Sequence, residues 1–313
     1  MCIRDRVIIG DHDAIDQKVI AEKDRAVGTI DSMTVSGEHT KMIVDADVLY
    51  GPLIPVIPNA DKLDPKLSKI VEGVEHKGYL VPLYRNQTGL LYDPNIVSDP
   101  PQTWHEIVAW INEHPKRFAI CDPEKGGTGQ AFIQVVIDKL CGGLDKYKGD
   151  TELDPEKVKN WNIAWNWFNE MEDKIVITGS NSESLTRFND GEVYLTVAWS
   201  DEVLMGWRRG TLFKRAKFYI PEMGAAGGGD PGAVMKNSPH KAAAMLWIAY
   251  LIRPEVQDLM HEMIGCMVAR TDIEPSGIIL IDEERRQKYG TEWFPASYKL
   301  HAIKEFTKNV LMK

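Results

Sequence analysis

The chain has 313 residues, 43% hydrophobic and 27% charged, with 37 Lys and Arg against 46 Asp and Glu and a formal net charge of −9. This is the composition of a globular protein long enough for two lobes, and no unbroken apolar run approaches the roughly 20 residues that a bilayer span needs. The acidic balance argues against nucleic acid as a partner, because phosphate binding needs a basic face. The one basic cluster, Arg208, Arg209, Lys214, Arg215 and Lys217, reads as a solvated surface.

In chain order, residues 1–6 (MCIRDR) resemble the translated adapter scar found at the start of many metagenomic reading frames, and they hold no apolar core of a signal peptide. On that reading the natural start is lost. Ile15, Val19 and Ile20 space a helix within 13–26, and 29–35 reads as a strand. The loop Ser36-Gly37-Glu38-His39 opens a short helix to about residue 45. Three prolines make 51–58 extended. Residues 79–92 are strand-like and end on Leu90, Leu91 and Tyr92. Asp93-Pro94 and Asp99-Pro100-Pro101 then break the chain. Thr103 with Glu106 three residues later forms a capping-box pattern ahead of an apolar stripe, Trp104, Ile107, Val108 and Ile111. A strand that breaks and starts a new layer suggests passage between two lobes.

Further on, 118–120 reads as a strand, 122–129 as a Gly-rich loop and 130–140 as a helix. Asp154-Pro155 predicts one long helix through residue 172, with Trp161, Trp165 and Phe168 on a core face. Strands follow at 174–178, 193–199, 218–220 and 233–235, with a short helix at 180–189 that carries an Asx or Ser cap and a glycine run at 224–232. Ser238-Pro239 predicts a helix to about 252 with proline at its first position, Arg253-Pro254 a second to about 264, and 296–312 a last one. Strands alternating with helices predict an α/β fold with largely parallel sheets. Cys121, Cys141 and Cys266 lack zinc-like spacing and read as small buried apolar residues, with one disulfide left open.

Several segments carry chemistry. Gly127-Thr128-Gly129 starts a helix after a loop, where free backbone N–H groups can hold an anion or a ligand oxygen; a plain strand-to-helix turn is the competing reading. Trp199-Ser200-Asp201-Glu202 ends an apolar strand, and an aromatic face beside two carboxylates suits a flat or cationic ligand. There the sequence favours a ligand role for Trp199 and a helix-capping role for Asp201. Gly227-Gly228-Gly229-Asp230 permits close approach to a ligand or a hinge. No nucleophile elbow, P-loop, HExxH or EF-hand pattern is present in the sequence.

These motifs together carry a resemblance. The GLLYD…PPQTW segment at 89–104, Gly191-Glu192-Val193, the helix pair AAAMLWIAYL…RPEVQ at 242–257, and the Ser36-Gly37-Glu38 and Leu49-Tyr50-Gly51-Pro52 stretches resemble extracellular solute-binding proteins of ABC importers, family 1, of the polyamine and thiamine type. The resemblance implies a type II periplasmic binding fold: two α/β lobes, a hinge and a ligand cleft between them. It places 7–91 and 233–313 in the N-lobe and 92–232 in the C-lobe, with crossings near 89–92 and 232–235. It implies a periplasmic, monomeric, non-enzymatic protein without cofactor or metal, which hands a small solute to the transmembrane permease subunits. That solute would be cationic, polyamine- or thiamine-like, or polyhydroxylated. Carried over by position, the ligand residues are Ser36, Glu38, His39, Gln87, Thr128, Gly129, Ser182, Trp199 and Asp230. Relative to the family pattern the first βαβ of the N-lobe is missing, which implies a less stable N-lobe sheet. A two-lobed α/β enzyme would need a nucleophile and base, and a sensing domain would need a DNA-binding or membrane segment.

Overall fold

The structure is a computed structural model that describes residues 7–8 and 12–313, with Asp13 as backbone alone. The scar-like segment 1–6 lies outside the described residues.

Two main sheets organise the chain. The smaller is built around strand Pro231–Met235, which pairs antiparallel with Ser32–Thr34 on one edge and with Leu49–Tyr50 and Val81–Pro82 on the other. The larger runs in the order Gly290–Thr291, Ala225–Gly228, Tyr84–Tyr92, Leu195–Trp199, Phe118–Cys121 and Ile175–Thr178. Lys217–Tyr219 and Met267–Val268 also pair with Tyr84–Tyr92. The α/β class holds, but the expectation of largely parallel sheets does not. Parallel pairing is confined to Phe118–Cys121 with its two neighbours and to Ala225–Gly228 with Gly290–Thr291. The reason is connectivity. Tyr84–Tyr92 and Pro231–Met235 each arrive from the other sheet through a short link, whereas a parallel neighbour needs a crossover of a dozen residues or more.

Local chemistry explains the elements. Thr103 Oγ1 accepts the Glu106 N–H at 3.3 Å and Glu106 Oε2 accepts the Thr103 N–H at 2.9 Å, completing the capping box of helix Trp104–Glu113. Its Ile107 and Ile111 are fully buried. Ser180 Oγ accepts the Glu183 N–H at 3.0 Å and caps Asn181–Asn189. A Cβ on Gly129 would stand 1.9 Å from the Cys121 carbonyl oxygen, so glycine is what lets helix Gly127–Cys141 sit on its strand. Three sequence expectations are corrected. The long helix divides into Pro155–Val158 and Asn162–Glu170, and at the break Trp161 is buried with its indole N–H donating to Tyr147 at 2.7 Å. The helix after Pro239 starts at Lys241, because the Ser238 hydroxyl is held by Asp31 at 2.6 Å and accepts the His240 N–H, keeping a turn there. Residues 225–228 of the glycine run form a strand. Cys121, Cys141 and Cys266 are buried free thiols.

The division of the chain also differs from the sequence reading. All of Tyr84–Tyr92 lies in the larger sheet, so the chain passes between sheets at Leu83, well before residue 89. It returns between Gly228 and Pro231. Helix Lys241–Leu251 packs on the smaller sheet through Ala244 and Ile248, which join Val81, Leu83 and Val234. The C-terminal segment does not follow it. Phe294, Tyr298, Ala302, Phe306 and Val310 fall at helical spacing and fill the aromatic core of the larger sheet beside Trp161, Trp165 and Phe168. Tyr298 further donates to Asp150 at 2.6 Å.

Candidate functional site

Acidic and aromatic side chains gather where the two sheets meet. Strand Leu195–Trp199 runs directly into helix Ser200–Arg209, which puts Trp199 at the strand end and Asp201 and Glu202 in the first helical turn. The helix carries no side-chain cap hydrogen bond at its N-cap, so Asp201 does not serve as the cap the sequence suggested. The Trp199 ring lies 5.9 Å from the Trp293 ring at 44°. Gly127 makes room for it, since a Cβ there would be 2.7 Å from the indole. Asn86 donates to Asp201 Oδ2 and Asn181 to Glu202 Oε1, both at 3.4 Å. Asn181 Oδ1 accepts the Thr128 hydroxyl at 2.8 Å.

The remaining acceptors are unsatisfied. Asp201 Oδ1, Glu202 Oε2 and Asn86 Oδ1 are shielded from solvent and have no hydrogen-bond partner among the described residues. Buried acceptors without donors cost free energy, so such a group in a folded protein calls for an explanation. Burial pushes the Asp201 carboxyl up to about 6, with the charge of Asp230 adding to it. Burial, then the charge of Asp201, pushes Glu202 up to about 7.

At the other end the chain supplies a cation of its own. Lys299, on helix Ala296–Phe306, places its ammonium 2.8 Å from Glu72 Oε1, 3.4 Å from Glu38 Oε2 and 4.1 Å from the centre of the Trp293 ring. Burial opposes that ammonium, yet Glu72 and Glu38 hold it above its ordinary range. Between the two ends, Asp230 accepts the Tyr84 hydroxyl at 2.6 Å.

Of the residues named from the sequence, the structure brings Glu38, Trp199 and Asp230 into this cluster, with Thr128 joined through Asn181. Gln87 is buried, and its amide donates to the backbone carbonyls of Thr88, Ala225 and Ala226, bridging two strands. Gly129 serves helix packing. Ser36 precedes the turn Gly37–His39, the His39 ring lies 2.7 Å from Asp16 Oδ2, and Ser182 is exposed one position beyond Asn181. Sequence reasoning missed Trp293, Lys299, Glu72, Asn86, Asn181 and Tyr84. Asn181 was within reach, as the residue that follows a helix cap beside Ser182. Trp293 lies in a stretch without periodicity and gave no signal.

Comparison with known proteins fits this arrangement. The family profile of bacterial extracellular solute-binding proteins matches residues 7–284. The chain belongs to that family. No curated protein matches it in sequence. Among solved structures, this solute-binding protein is similar to an ABC transporter protein from Clostridium perfringens, at 19% identity and TM-score 0.69 over 97% of this chain and 89% of that one. The spermidine/putrescine substrate-binding protein PotD from Streptococcus pneumoniae aligns at 14% identity and TM-score 0.70, over 96% of this chain and 89% of that one. The PotD lipoprotein of Treponema pallidum aligns at 11% identity and TM-score 0.73, over 97% and 90%. At these identities the likeness speaks to the fold: two α/β lobes of the periplasmic binding type. Among the described residues no helix is long and apolar enough to cross a membrane, and no group of three or more His, Cys, Asp or Glu is arranged to hold a metal ion.

Proposed function

We propose that the protein is the solute-binding component of an ABC importer, that it works as a monomer outside the cytoplasmic membrane, and that its solute carries a cationic amine. The observation that carries the ligand class is the set of unsatisfied acceptors, Asp201 Oδ1, Glu202 Oε2 and Asn86 Oδ1, taken with the Trp199 and Trp293 ring pair that starts one residue before helix Ser200–Arg209. An ammonium or guanidinium brings several N–H donors and a positive charge, so it meets the orphaned oxygens and stacks on indole faces at once. A sugar would satisfy the hydrogen bonds but leave the carboxylate charge unmatched, and an anion would be repelled. The names of similar structures agree with an amine. The Streptococcus pneumoniae protein is named for spermidine and putrescine, and others for thiamin and for GABA. One similar protein was solved with fructose-6-phosphate, so the fold alone does not fix the charge of the solute.

The lobes would be the two sheets with their helices, joined through Leu83 and Gly229–Asp230, and the solute would lie between them. The test is a thermal-shift and calorimetric panel at pH 8 of primary amines, guanidines, sugars, phosphates and carboxylates. Amines or guanidines should raise the melting temperature. A shift given only by sugars or anions refutes the amine reading.

A further inference from the structure

The cleft holds two places built for an ammonium, and one is already filled by the chain itself. At the Trp199 end Asp201 and Glu202 follow the indole in the first turn of the next helix, and one oxygen of each carboxylate lacks a donor among the described residues. At the other end the same elements recur, two carboxylates and an indole, with the Lys299 ammonium seated among them. The Trp293 ring belongs to both, touching Trp199 and lying under Lys299. This is no surface ion pair. The Lys299 and Glu72 side chains are 9% and 6% exposed, and Glu72 Oε2 is still without a partner among the described residues. A Cβ on Gly37 would stand 2.5 Å from Glu72 Oε1, so the loop carrying Glu38 is shaped to admit the Glu72 carboxylate.

We infer that Lys299 is a specificity-determining residue: it occupies the second cation place of the cleft, so the protein selects solutes with one cationic head and discriminates against dications of similar length. The inference rests on the amine reading above. A dication lying across Trp293 would bring its second charge against the buried Lys299 ammonium, and like charges in a water-poor site repel strongly. A monocation meets the Asp201 and Glu202 carboxylates and leaves the Lys299 pair undisturbed. Selection here comes from a repulsive element as much as from an attractive one.

The experiment measures affinity for n-butylamine and 1,4-diaminobutane by calorimetry at pH 8, in the native protein and in Lys299→Met. Methionine keeps the length of the stem and removes the charge. The native protein should bind the monoamine at least as tightly as the diamine. In the variant the diamine should gain about tenfold or more, the worth of one charge-assisted contact, while the monoamine changes by less than about threefold. A double variant, Lys299→Met with Glu72→Gln, should lose most of that gain, because one carboxylate of the pair is gone. A folded Lys299→Met protein with no diamine gain overturns the inference and leaves the amine reading standing. A native protein that prefers the diamine tenfold overturns it without any variant, which covers the case in which Lys299→Met fails to fold. Absence of binding to every amine in the native protein removes the amine reading and this inference with it.

Discussion

The two ends of the cleft use the same parts to different ends. At one, Lys299 sits between Glu38 and Glu72, so two carboxylates share one built-in ammonium, although Glu72 Oε2 has no partner among the described residues. At the other, Asp201 and Glu202 keep buried oxygens with no donor and carboxyls lifted to about 6 and about 7. Removing one member of a buried ion pair destabilises the fold, since it leaves an uncompensated charge. Carboxylates without a cation work against the folded state, a cost that an outside cation would offset. Substitution at the filled end should therefore register in folding and in the choice between monocation and dication, and substitution at the empty end in affinity for any cation.

The strongest test of that contrast is the double variant Asp201→Asn with Glu202→Gln. Affinity for a cationic solute should fall about a hundredfold by calorimetry, as two charge-assisted contacts are lost. The melting temperature of the unliganded protein should hold or rise, because two buried like charges have gone. A variant that melts earlier and still binds would break the contrast.

Acidity should act in the same sense. Both carboxyls are raised in the folded protein above their ordinary 3.8 and 4.5, so the folded state holds their protons more tightly than the unfolded chain does. Their ionisation therefore weakens the unliganded fold as pH rises from 5 to 8, while it builds the charge that binds a cation. Solute affinity should drop about tenfold or more between pH 8 and pH 5, and the solute-induced rise in melting temperature should shrink in parallel. A flat profile would assign the binding to other groups.

Smaller effects separate the ends further. Trp199→Ala should cost about tenfold in affinity, from the lost stacking and cation–π contact, with little change in stability. Glu72→Gln should do the reverse. It should lower the melting temperature measurably, since Lys299 loses its nearest carboxylate, yet shift affinity for a monocation by less than about threefold.

The elements were legible in the sequence where short-range chemistry fixes them. Thr103 and Glu106 announced a capping box three residues apart, and Ser180 announced a cap. Trp199 was legible because a strand ending on an aromatic next to two carboxylates is a local pattern. The division of the chain was less so. Leu90 and Leu91 are equally apolar whether a strand ends with them or continues through them, and it takes pairing with Leu195–Trp199, Ala225–Gly228 and Met267–Val268 together to show that Tyr84–Tyr92 lies wholly in one sheet. The tail was misplaced for a related reason. Its stripe of Phe294, Tyr298, Ala302 and Phe306 marks a core face but does not say whose core. Lys299 was invisible, because a lysine on a helix looks solvated until Glu72 and Glu38, more than two hundred positions away, come to meet it. Gln87 misled in the opposite direction: a polar residue before the presumed crossing pointed to a ligand, whereas its amide is spent on Thr88, Ala225 and Ala226.

That use of Gln87 bears on how the protein closes. Its amide rivets Tyr84–Tyr92 to Ala225–Gly228 a few residues past the point where the chain leaves the smaller sheet, so any swing of one lobe must bend below the rivet, at Leu83 and Gly229. The Tyr84–Asp230 hydrogen bond then sits almost on the pivot and travels least. Lys299, on a helix packed in the larger sheet's core, meets Glu38, which follows strand Ser32–Thr34 of the smaller sheet, so that pair also joins the two sheets. Any parting of the two sheets would separate that pair, and their closing on a solute would re-form it.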